Sequence, residues 1–194
     1  MTAVFSACRR WRYRLERDVS WLARTPAVRN EPVAVRRRGS VELTLFEGPP
    51  PARDTSPPTR GAVAFVGLNP STADEVVNDR TIRRCMQFAR DWGFARLVMA
   101  NAYAWRSTDP RGLWTADDPV GAENDAHIEA IASDVELVVC AWGAHAKPDR
   151  VTAVLAAVAR GGRDLHALRT NGDGSPAHPL YLPASLMPMP WSPP

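Results

Sequence analysis

From Gly61 onward the chain alternates between two hydrophobic periods, and this alternation limits its fold more than any other feature. "AVAFVG" (62–67) reads as a buried strand, Thr81 to Trp92 has helical spacing, and "RLVMANAYA" (96–104) is strand-like again. Pro119 to Ser133 repeats the helical pattern, with Ile128 and Ile131 among its apolar positions. "VELVVCAW" (135–142), Asp149 to Arg160 and "DLHAL" (164–168) then read as strand, helix and short strand. Strands alternating with helices predict an α/β fold with a mainly parallel sheet of about four strands. Helices should cover both faces, as three α/β/α layers, joined by right-handed crossovers. Asn78 or Asp79 is placed to cap the first helix, and Asp118 or Asn124 the second.

Ahead of this block, Trp11, Tyr13 and Leu15 alternate with Arg12, Arg14 and Glu16. Period two predicts a half-buried strand, paired with Ala3 to Ser6 as a β-hairpin. Between Arg24 and Arg60, "RRRG" and "GPPPARDTSPPTR" offer too little apolar surface to offset the cost of ordering the chain. That stretch is expected to be a mobile insertion, with "VELTLFEG" its only candidate strand. The Pro- and Met-rich tail, 184–194, is expected to be loose. With 194 residues, the whole chain should form a single domain, 1–194.

Composition enters where it restricts function. No apolar run approaches the roughly 20 residues of a bilayer span, so no membrane partner is expected. "MTAVFSACRRWRYRLER" has no apolar segment ahead of a small-residue cleavage site, which argues against a signal peptide. Cys8, Cys85 and Cys140 are odd in number and scattered, as expected of reduced thiols in a cytoplasmic protein. Residues 1–60 hold 12 arginines against 6 acids, a balance of +6. Residues 61–194 hold 12 basic residues against 15 acids, a balance of −3. The basic excess is therefore N-terminal, where it could bind a nucleic-acid backbone or simply solubilise the chain.

The polar clusters "NPSTAD", "WRSTDP", "GAH" and "TNGDGSPAHP" follow the strands, and in a parallel sheet the loops after the strands share one edge. In the first loop Gly67 permits close backbone approach, and Asn69, Ser71, Thr72 and Asp74 could line a site. The loop lacks the glycine spacing and lysine of a Walker loop, and an Asx-type turn would also explain it. Asp79 reads as a helix cap, and Arg83 or Arg84 could meet a phosphate or pair with Asp74 or Asp79. Asn101, Tyr103, Trp105, Arg106, Thr108 and Asp109 end or follow the second strand. Asp117, Asp118, Asn124 and Asp125 supply oxygens without any EF-hand-like spacing, so no metal and no cofactor are assigned. His178, fixed between a glycine-rich turn and a proline, is the leading histidine, and His145, which follows the third strand, is a weaker candidate. Ser71, His178 and an acid could form a triad on paper, but no nucleophile elbow accompanies them. Asn69, Asp74, Arg83, Arg106 and His178 are expected to converge on one pocket.

The series "FSACRRWRYRLER", "GLNPSTADEVVNDRTIRRC", "FARDWGF", "NAYAWRSTDPRGL", "DPVGAENDAHI", "AWGAH" and "DGSPAHPLYL" resembles the motifs of a bacterial and phage family, domain of unknown function 1643. The resemblance spans residues 3–22 and 62–182, a family-like core interrupted by the 24–60 segment. Arg80 stands where that family typically has proline, and the Pro/Arg-rich segment departs from it. "VAFVGLNPS" and the later "HP" are also similar to the two signature motifs of uracil-DNA glycosylases. That similarity implies a glycosylase-like fold in which Asn69 orients a water and His178 stabilises charge on the departing base. Tyr103 or Trp105 would stack on the base. The partner implied is a nucleobase, nucleotide or nucleic acid. Three function classes follow: an N-glycosidic-bond hydrolase, a non-catalytic nucleotide or nucleic-acid binding module, and a metal-assisted small-molecule enzyme.

Overall fold

The computed structural model of the chain describes residues 1–25, 33–37, 40–44, 54–71 and 73–194. Its elements in chain order are β1 (Thr2–Phe5), β2 (Arg12–Asp18), β3 (Val33–Arg37), β4 (Ser40–Thr44), β5 (Arg60–Gly67) and α1 (Arg80–Asp91). There follow β6 (Phe94–Asn101), α2 (Pro110–Trp114), α3 (Asn124–Asp134), β7 (Leu137–Cys140), α4 (Pro148–Arg160), β8 (Leu165–Ala167) and β9 (Met189–Pro190). Seven strands form one sheet in the order β1-β2-β6-β5-β7-β8-β9, and β3-β4 make a separate hairpin. β6, β5, β7 and β8 pair in parallel. β1, β2 and β9 add antiparallel at the two edges, so the sheet is mixed rather than simply parallel. The expectation counted about four sheet strands and an N-terminal hairpin; the hairpin extends the sheet as β1-β2, and β9, a two-residue strand with no sequence period of its own, was not foreseen.

The two faces of the sheet follow the parity of its strands. Val63 and Phe65 of β5, Leu97 and Met99 of β6, and Val139 of β7 face α1 through Ile82, Phe88 and Trp92. Ala62, Ala64, Val98, Ala100, Val138 and Cys140 face α3 and α4 through Ile128, Ile131, Val154 and Val158. Phe65 stacks on Trp92 at 5.6 Å and on Phe88 at 6.5 Å. Burying such side chains stabilises the fold by roughly 2 kcal/mol each. Asp79 caps α1, its side chain accepting from the Ile82 amide at 2.8 Å, so the helix begins at Arg80. The helix stops at Trp92–Gly93, where Gly93 takes φ +86°, a left-handed conformation open to glycine.

Some local expectations change. Asp118 closes a turn by accepting from the Val120 and Gly121 amides, and α3 begins later, at Asn124. Asn124 is buried and donates to the Asn101 and Ala102 carbonyls instead of capping. The tail expected to be loose docks: β9 pairs with β8, and Trp191 donates its backbone amide to Leu165 and its indole Nε1 to the Gly174 carbonyl at 3.0 Å. Much of the expected insertion lies outside the described residues, but β3 and β4 form a hairpin within it. Its ends meet, since the Arg24 amide donates to the Asp54 carbonyl at 2.9 Å. Among the described residues no helix is long and apolar enough to cross a membrane.

The predicted N-terminal hairpin forms with one irregularity. Val4 pairs with Arg14, but Phe5 pairs with Arg12, so the register slips by one residue at Tyr13. Arg14 reaches Asp134 at the end of α3, and Tyr13 stacks on His127 of α3 at 4.8 Å. Two successive residues thus face the same side, as a β-bulge allows, and Arg12 is turned to the α1 side with Leu15 and Arg17.

Candidate functional site

From β5 the chain runs through α1 to β6 on one side, then crosses to β7 on the other side of β5. The carboxyl ends of β5 and β7 therefore flank a switch in strand order, the place where open α/β sheets leave a crevice. A cavity of about 680 Å³ opens there on the α1 side, within the usual range for small-molecule sites. Its walls come from the loops after β5, β6, β7 and β8, with Arg12 of β2 at one side. Gly67 lets two strand ends close up, since a Cβ there would lie 3.0 Å from Asn101 Oδ1.

Asn69 and His178, 109 positions apart, both line this cavity. The Asn69 amide nitrogen donates to the carbonyls of Ser107 at 2.9 Å, Pro70 at 3.1 Å and Trp105 at 3.5 Å. That leaves its Oδ1 without a hydrogen-bonding partner among the described residues. His178 precedes the 3-10 turn Pro179–Tyr181, and its Nδ1 accepts from the Leu180 amide at 3.3 Å. The neutral ring then carries its proton on Nε2. Burial holds the His178 pKa below its ordinary value, with the charge of Asp79 opposing that shift.

Ser71, Asp79, Asn101 and Thr108 also line the cavity. Asn101 is 3% exposed, and its Nδ2 is buried with no hydrogen-bond partner. Thr72 lies outside the described residues. The other expected site residues do not line the cavity, and each has a physical reason. Asp74 accepts from the Val76 and Val77 amides, which closes its own loop and lowers its pKa. Arg83 points to solvent on α1, while Arg84 lies over Phe88 and donates to the Leu182 carbonyl. Tyr103 is buried against Trp114, its hydroxyl accepting from the Lys147 amide. Trp105 packs edge-on against Trp11 at 5.4 Å. Arg106 lies over Phe5 and donates to the Arg9 carbonyl. Asp109 caps α2 and pairs with Arg111. Neither aromatic named for stacking can therefore face a ligand in this cavity.

Other cavity residues escaped the sequence reading. Arg12, Trp142, Arg169 and Tyr181 were not singled out, and His145 had the weaker case among the histidines. Asn171 and His178 belong to the same flagged loop, so position alone could have found Asn171. Arg12 gave no signal: strict alternation turns it to the opposite face, and no Gly or Pro marks the bulge. Among the described residues, no group of three or more His, Cys, Asp or Glu is arranged to hold a metal.

The family model described as "Protein of unknown function (DUF1643)" matches residues 53–180, and the chain belongs to that family. The N-terminal hairpin, Arg12 included, lies outside the matched span. No curated protein and no solved structure gives a significant match.

Proposed function

We propose that the cavity receives a nucleobase-bearing ligand and that the protein hydrolyses its N-glycosidic bond. One observation carries this reading: Asn69 and His178 come from distant loops to line the same concave site. In the proposed reaction water attacks the anomeric carbon as the carbon–nitrogen bond breaks, and the bonding electrons leave on the base. Asn69 Oδ1 accepts a hydrogen bond from the water and orients it. His178 donates from Nε2 to a base oxygen where negative charge accumulates, a stabilisation that needs no proton transfer. Asp79 supplies the acid in place of Asp74, whose carboxylate is closed on its own loop. Its carboxylate lines the cavity, faces the positive charge developing on the sugar and can accept the proton of the attacking water. Burial holds the His178 pKa below its ordinary value, so release should be level through neutral pH and change only in acid. There protonation turns Nδ1 from the acceptor of the Leu180 amide into a second donor and disturbs the ring's seat.

A second reading has its own support. The Asn69 amide is occupied by three carbonyls, as in a residue that merely fastens a loop, and this favours a binding module without chemistry. One experiment separates the two. Uracil- and hypoxanthine-containing oligonucleotides, nucleosides and nucleotides are assayed for free base by chromatography, beside Asn69→Ala and His178→Ala. Hydrolysis predicts release that falls about 10²- to 10³-fold in each variant. Ligand binding without release, surviving Asn69→Ala, selects the binding module.

A further inference from the structure

Arg12 is a feature of the cavity that base release leaves unused. Its side chain is 2% exposed, and Nη1 donates to the Ala73 carbonyl at 2.7 Å. Nε is buried without a partner. Among the described residues no carboxylate forms an ion pair with it. The charges that act most strongly on it, Asp79 and Asp74 against Arg106 and Arg17, oppose one another, so neither acid is left to it alone. Burial pulls the guanidinium down to about 10, the direction expected of a cation short of compensation.

Arg17, on the same strand, is the internal contrast. It is equally buried, yet it donates to Asn78 Oδ1 at 2.6 Å, to the Glu16 carbonyl at 2.9 Å and to the Asp74 carbonyl. Arg17 is satisfied as structure, whereas Arg12 is not. A buried cation that lacks a counter-charge costs stability unless something supplies the charge. The bulge at Tyr13 turns this cation toward the cavity rather than toward α3. A second cation, Arg169, is exposed at the cavity wall and has no ion-pair partner among the described residues. Asn101 adds a buried unpartnered donor to the same lining. The cavity thus presents idle donors and uncompensated positive charge, which calls for an oxyanion.

We infer that the cavity binds the phosphate of a nucleoside 5′-monophosphate, with Arg12 as the inner cation and Arg169 as the outer one. The inference rests on the nucleobase reading for the base alone; the phosphate site stands on the arginines. A cavity of about 680 Å³ suits a mononucleotide, and the −3 balance of residues 61–194 disfavours a broad polyanion surface.

Calorimetric titration at constant ionic strength tests this with inorganic phosphate, uridine, adenosine, their 5′-monophosphates and a short oligothymidylate. Each monophosphate should bind at least about tenfold more tightly than its nucleoside. Arg12→Gln should abolish that advantage, and Arg169→Ala should cut it several-fold with the melting temperature unchanged. If Arg12→Gln does not fold, the wild-type ratio and Arg169→Ala still decide. Equal affinities for nucleoside and monophosphate would overturn the inference, as would an intact advantage in folded Arg12→Gln, or tighter binding of the oligonucleotide. Monophosphate binding without base release keeps the phosphate site and removes the hydrolase. Equal kcat/KM for nucleosides and monophosphates does the reverse.

Discussion

The parallel strands of the sheet end on both sides in antiparallel additions, and the two additions support the cavity in different ways. At the N-terminal edge, β2 sends Arg17 and Arg12 to the 73–79 loop, gripping it through the carbonyls of Ala73 and Asp74 and the side chain of Asn78. At the C-terminal edge, Trp191 packs edge-on against Trp142 at 5.5 Å and ties its indole to the Gly174 carbonyl. One loop is held by buried directional charge, the other by a half-buried aromatic ring. A buried charge has exact bonding demands and leaves orphaned groups when lost. An aromatic contact loses area in proportion to what is removed.

Replacing Arg17 should therefore be the most damaging change. Arg17→Met leaves Asn78 Oδ1 and the Asp74 carbonyl unpaired, and a loss of roughly 3–5 kcal/mol is expected from the urea midpoint. A loss below about 1 kcal/mol would mean that the charge staple is not the stronger support. Trp191→Ala should cost about 2 kcal/mol, less than a core tryptophan because the ring is only partly buried. It should also speed amide exchange in the 171–176 turn while sparing the 73–79 loop; faster exchange in both would erase the contrast between the edges. The smallest effect should come from replacing residues 26–53 with a short Gly/Ser linker. Arg24 and Asp54 already meet, and the β3-β4 hairpin belongs to a separate sheet, so stability should change by less than about 1 kcal/mol. Losing the cooperative melting transition would show that the segment packs against the core.

The central α/β alternation was legible because its strands and helices bury apolar faces with clean periods. β5, α1, β6, β7 and α4 lie close to where their periods put them. The carboxyl edge was legible for the same reason, and with it the loops that bring Asn69 and His178 to one cavity. What could not be read depends on contacts across long separations. Asp74 looked like a site acid, but only the folded turn shows its carboxylate taken by two backbone amides. Tyr103 and Trp105 looked available, yet Trp114 and Trp11 cover them. Arginine was hardest to read, since exposed Arg9 and buried Arg12 and Arg17 look alike in the chain.

Strand parity is a binary variable, and the slip between Val4 and Phe5 sets its value for Arg12. Substitution alters what a side chain is; adding one residue to β1 opposite Tyr13 would alter where Arg12 is aimed. Inserting one residue between Val4 and Phe5 would give Tyr13 a partner, restore strict alternation and turn Arg12 to the face of Arg14, away from the cavity, without changing either arginine. A gene could thus retune the cavity by gaining a single codon in the edge strand β1, at a position outside the span matched by the family model. Insertions and deletions in this hairpin therefore act as phase changes, and an alignment that counts only substitutions would overlook them.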